Sequence, residues 1–172
     1  PIGSGEMFTG LIDLIEMKAV TYQDESKGSV AQESEIPRDL QDQAHEYREK
    51  MLEAAADFDD ELMEKFIEDD HDAISSEQIR TALRKGTLKQ EILPVLCGSA
   101  FRNKGVRRLM DAVVDFLPSP LDVEAVVGTD PRDENIEITR RPSEDEPLSA
   151  LSFKVMTDPY VGRLNFVRVY GG

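Results

Sequence analysis

The chain has 172 residues, a hydrophobic share of 40%, no Trp, one Cys and a formal net charge of −15. That length is enough for one or two domains with a buried core. The charge disfavours binding to nucleic-acid backbones and favours a basic partner, and no apolar run approaches the ~20 residues that span a bilayer.

The chain opens Pro1-Ile2-Gly3-Ser4-Gly5. No basic stretch leads into an apolar one there, so no secretory signal is read. A start at Pro1 rather than Met is consistent with a piece of a longer protein or with processing. Residues 7–36 carry strand signals: Phe8, Leu11, Ile12, Leu14, Ile15, Met17, Ala19, Val20 and Tyr22 form a partly alternating apolar run. A polar turn at 23–28 separates it from a short polar segment, 29–36, suited to a sheet edge. Two or three antiparallel strands are expected, ended by Pro37.

Residues 38–68 have helical periodicity. Leu40, Ala44, Tyr47, Met51, Ala54 and Phe58 recur at spacings of three and four and predict one apolar face. The acidic break 57–60 divides this stretch, so two helices are allowed. Asp42, Glu46, Glu49 and Glu53 recur opposite the apolar residues and form an acidic stripe. Such a stripe is most simply a solvated face. Ser75, with Gln78 three residues on, predicts the cap of a further helix running to about Lys85, with Gly86 as its stop.

Residues 91–97, Glu-Ile-Leu-Pro-Val-Leu-Cys, lack polar alternation and predict a strand buried on both faces. Cys97 is expected to be an inert core thiol, and one cysteine suits a reducing compartment. Gly98–Lys104 is a turn. Val106, Leu109, Met110, Val113, Val114 and Leu117 then predict an amphipathic helix ending at Pro118, and with the strand it makes half of a βαβ unit. Residues 121–147, rich in charge and proline, read as a linker or irregular lead-in. Residues 148–157 and 163–170 alternate as two strands around the turn 157–162. An isolated hairpin is marginal in water, so these strands are expected to belong to a larger sheet or barrel.

Other features point to no chemistry. Asp57, Asp59, Asp60 and Glu61 lack the glycine and spacing of a calcium loop. His45 and His71 with one Cys do not make a zinc site. Asn103-Lys104-Gly105-Val106 looks like a guanine-specificity Asn-Lys-x-Asp, but Val106 has no carboxylate. No G-x-x-x-x-G-K-[ST] phosphate cradle occurs.

Several stretches together resemble the elongation factor G family of translational GTPases. They are Phe8–Leu14, Glu61–Phe66, Cys97–Val106, Leu109–Pro120 and Phe153–Tyr170. The resemblance implies an α+β arrangement. Residues 1–90 would be the subdomain inserted in the G domain, and 91–120 the last strand and helix of that domain. Residues 121–146 would be a linker, and 147–172 the start of an incomplete β-barrel. It implies that Ser99, Ala100 and Phe101 are the fifth guanine-binding motif. The amide near Ala100 would donate to the guanine O6, and Ser99 would brace the loop and a partner Asp that this sequence lacks. It further implies GTP or GDP with Mg²⁺ as ligand of the parent protein, a ribosomal role in translocation and a cytoplasmic setting. Under the same resemblance Asp42, Glu46, Glu49 and Glu53 would face the C-terminal domain of the ribosomal stalk protein. No nucleic-acid or membrane contact is expected of this piece, and with one loop of the pocket it should neither bind nor hydrolyse GTP alone. A ribosomal protection protein or a peptide-release GTPase of the same superfamily stays open, as does a non-enzymatic acidic interaction module.

Overall fold

A computed structural model describes residues 1–23, 28 and 30–172. The chain divides into two units, Pro1–Leu117 and Pro118–Gly172. The first begins with a 3₁₀ turn at Gly5–Met7 and a three-stranded antiparallel meander of β1 (Gly10–Asp13), β2 (Lys18–Tyr22) and β3 (Ala31–Ser34). Leu11 pairs with Val20, and Ala19 with Ser34. Leu11, Val20 and Tyr22 make a small buried cluster, while β3 is exposed throughout, as expected of an edge. The β1–β2 turn is an Asx turn: the Asp13 carboxylate accepts from the amides of Ile15 and Glu16. The polar turn expected at 23–28 falls mostly outside the described residues, as does Ser29.

Four helices follow: α1 (Arg38–Ala56), α2 (Asp60–Ile67), α3 (Ser76–Leu88) and α4 (Val106–Phe116). The break at 57–60 does separate two helices. Asp59 caps α2 by accepting from the Leu62 amide, and Ser75 caps α3 by accepting from the Gln78 amide. The main core joins Leu52, Ala55 and Ala56 of α1 to Leu62, Ile74, Ile79, Ala82, Leu83 and Phe116.

Three expectations for this unit are corrected. The buried stripe of α1 is Ala44, Leu52, Ala55 and Ala56, whereas Tyr47 and Ala54 are exposed. Gly86 does not stop α3; the helix runs on to Leu88, and Gln90 takes the left-handed conformation (φ 62°) that ends it. The amides of Glu91 and Ile92 both turn back to the Gly86 carbonyl. Finally, residues 92–98 form no strand, and Leu93, Val95 and Cys97 are exposed. A strand is defined by its ladder, and among the described residues this run has no partner. The same holds for the far face of α4. Phe116 is buried in the helical core, but Leu109, Met110, Val113 and Val114 are exposed. On α3, Arg84 secures the end of α4 by donating to the carbonyls of Val114, Asp115 and Leu117.

The second unit consists of two antiparallel hairpins. The stretch expected to be irregular contains one of them, β4 (Val126–Asp130) paired with β5 (Asp133–Arg140). Its turn is set by Asp130 and Asp133, which accept from the amides of Arg132 and Asn135. Such side-chain turns are local, so a proline- and charge-rich sequence can still pair. The other hairpin is β6 (Ser149–Asp158) with β7 (Gly162–Gly171), near the expected bounds. At its tip Asp158 accepts from the amides of Tyr160 and Val161, and Gly162 has φ 84°. The protein is thus α+β, with small antiparallel sheets, none closed into a barrel among the described residues.

Candidate functional site

Residues 99–104 form a tight loop. The Ser99 amide donates to the Lys104 carbonyl at 2.8 Å, and the Lys104 amide returns to the Ser99 carbonyl at 3.0 Å. Within that frame the Asn103 amide donates to the Ala100 carbonyl at 3.0 Å, and Asn103 has φ 54°. Asparagine tolerates this region better than most residues. Glycine is needed where the two arms of the loop approach. A Cβ on Gly98 would lie 2.8 Å from the Lys104 carbonyl oxygen, and Gly105 has φ 83°.

The structure brings Ser99, Ala100 and Phe101 onto this one loop, with Ser99 at its half-buried base and Ala100 and Phe101 exposed. Among the described residues the amides of Ala100 and Phe101 donate to no acceptor. Backbone donors seldom go unused except where water or a ligand meets them. The loop is held from behind. Arg102 donates to the Glu6 carbonyl at 2.9 Å, and the buried Lys104 ammonium donates to the Phe8 carbonyl at 3.1 Å. Arg108, at the start of α4, pairs with both Asp13 and Glu33 of the first sheet.

The acidic residues lie on the outer side of α1. Asp42, Glu46, Glu49 and Glu53 are all exposed. Glu46 is not an unopposed charge: its carboxylate pairs with Lys50 at 2.5 Å, one turn on. That hydrogen bond raises the Lys50 ammonium above its ordinary value. The i, i+4 order Glu-then-Lys signals this pair in sequence. Arg48 carries no such signal. It lies on the inner side of α1 and donates to the carbonyls of Leu14 and Ile15 in the β1–β2 turn.

No family model matches the chain. Among curated proteins the chain is 51% identical over all 172 residues to elongation factor G of Salinibacter ruber, spanning 24% of that protein's length. Among solved structures, the Thermus thermophilus protein ttk003000868 matches the whole chain with a TM-score of 0.69 at 25% identity, over 22% of its own length. The resemblance read from the sequence is therefore borne out: over its whole length the chain is similar to a segment of elongation factor G.

Proposed function

We propose that the chain is the part of a translation elongation GTPase that contributes one wall of the guanine pocket and an acidic docking face. The observation that carries the first half is the 99–104 loop, whose exposed Ala100 and Phe101 have amides with no acceptor among the described residues. An amide there donates to the guanine O6, a position where adenine has an amino group that cannot accept. Ser99 holds the base of the loop through its pairing with Lys104. The sequence has no G-x-x-x-x-G-K-[ST] phosphate cradle, so in this reading the triphosphate and Mg²⁺ contacts lie in other parts of the parent protein. When bound, GTP with Mg²⁺ supplies the hydrolysable phosphoanhydride.

In this reading residues 1–90 are the inserted subdomain and 91–120 the last segment of the G domain. The rest of that domain covers the exposed 92–98 run and the apolar side of α4. Residues 121–146, with their hairpin, lead into a β-barrel begun at 147–172. The parent acts in the cytoplasm on the ribosome during translocation. Among the described residues no helix is long and apolar enough to cross a membrane. Asp42, Glu46, Glu49 and Glu53 meet the basic C-terminal domain of the stalk protein, a contact that acts more on association rate than on affinity. The net charge of −15 supports this and disfavours direct nucleic-acid contact.

The test uses the full-length factor. Replacing Ala100 with Pro removes the amide, and GDP affinity is expected to fall about tenfold or more. Unchanged affinity in a folded variant refutes the base contact. For the docking face, Asp42→Lys with Glu46→Lys should slow stalk-dependent turnover at low salt, and undiminished turnover there refutes it. The 172-residue chain alone should show no GTP turnover.

A further inference from the structure

Lys104 is the one charged side chain that is buried among the described residues, with 2% of its surface exposed. Burying an ammonium is costly unless it is hydrogen-bonded, so its position has to be explained. Its Nζ donates to the Phe8 carbonyl, 3.1 Å away and 96 residues earlier in the chain. Its main chain meanwhile closes the loop through both hydrogen bonds to Ser99. One residue thus fixes the loop internally and fastens it to the segment that leads into β1.

Two further contacts act in the same direction. Arg102 donates to the Glu6 carbonyl at 2.9 Å. Gly28 lies so close that a Cβ there would be 2.5 Å from the Arg102 carbonyl oxygen and 2.6 Å from that of Asn103. The 92–98 run that precedes the loop has no ladder to hold it among the described residues. The contacts that position the loop within this unit therefore come from the segment before β1 and from Gly28, between β2 and β3.

We infer that Lys104 is a positioning residue for guanine recognition: through the Phe8 carbonyl it sets where the Ala100 and Phe101 amides are presented. This rests on the reading of that loop as the base contact. The Lys104 side chain points back into the protein and does not touch the base.

The experiment uses the full-length factor and two probes, GDP and 2-aminopurine riboside 5′-diphosphate, which lacks the O6 acceptor. Lys104→Met keeps most of the buried stem and removes the donor. Its GDP dissociation constant should rise about tenfold, while that of the analogue stays within about twofold. Arg102→Ala, on a more exposed contact, should shift GDP about threefold in the same selective way. Circular dichroism establishes folding, and if Lys104→Met does not fold, Arg102→Ala decides alone. Equal weakening of both probes, or no weakening of GDP, overturns the inference. A wild-type factor that fails to prefer GDP over the analogue instead overturns the base-contact reading itself.

Discussion

The guanidinium of Arg48, in the middle of α1, donates to the carbonyl oxygen of Ile15 at 2.9 Å, and the same nitrogen also reaches the Leu14 carbonyl. These carbonyls belong to the β1–β2 turn, where Met17 takes φ 51°. Partial burial lowers the Arg48 pKa, with the nearby Glu16, Asp72 and Asp13 charges opposing that shift, yet arginine stays charged. Arg48→Met keeps the packed stem and removes the donors. It should destabilise the first unit by about 1.5 kcal/mol, since two carbonyls lose a charged donor. Urea unfolding should show a lower midpoint with an unchanged slope; an unchanged midpoint would mean that water replaces the guanidinium without loss.

Asp59 links α2 and α3. Its carboxylate accepts from the Leu62 amide, from Gln78 and from Lys85. The Leu62 hydrogen bond is the largest influence lowering its pKa, opposed by partial desolvation and helped by Gln78 and Lys85. A carboxyl group lowered in the folded state stabilises above its unfolded pKa of about 3.9, and that contribution is lost as pH falls through the lower folded value. Asp59→Ala should cost about 1 kcal/mol at neutral pH, the usual loss for a removed cap. Asp59→Asn keeps an acceptor without the charge. Its deficit against wild type should shrink as pH falls below about 4. Thermal melts between neutral and acid pH follow this, and a deficit that stays constant with pH contradicts the assignment.

How much of this was legible in the sequence depended on the range of the interaction. Ser75 with Gln78, the split near 57–60 and the 157–162 turn are local chemistry, and all three are found. The β4–β5 hairpin is not legible in the sequence because prolines and charges obscure turns made by single Asp side chains. The 91–97 run has the composition of a buried strand, but apolar composition reports a preference for burial, not the presence of a neighbouring strand. Ser99, Ala100 and Phe101 stand out only through the family resemblance, whereas Arg48 and Lys104 reach carbonyls 33 and 96 positions away and leave no periodic trace.

Gly86 shows the same limit. Near a helix end, glycine suggests a stop, yet here it gives room for packing. A Cβ would lie 2.5 Å from the Ile92 side chain and 2.8 Å from the Phe58 ring. Gly86→Ala gains up to about 1 kcal/mol in helix propensity but incurs overpacking of about 1–3 kcal/mol. The net expectation is a loss of about 1 kcal/mol, read as a lower melting temperature. A rise in melting temperature would show that Ile92 swings aside freely.

Lys50 offers a test of the acidic face in the opposite sense to charge reversal. Its ammonium holds the Glu46 carboxylate and lies over the Tyr47 ring at 5.0 Å. Both charged side chains are more than half exposed, so the pair is open to solvent and salt. If the outer side of α1 attracts a basic partner, Lys50 opposes that attraction twice, by its own charge and by masking Glu46. Lys50→Gln in the full-length factor should therefore speed association with the stalk domain about two- to threefold at low ionic strength. The gain should fade as salt shortens the Debye length toward about 3 Å near 1 M. Stopped-flow association at several salt concentrations measures this. A rate that falls on Lys50→Gln would mean that Lys50 itself makes the contact, and that the four carboxylates are only a solvated surface.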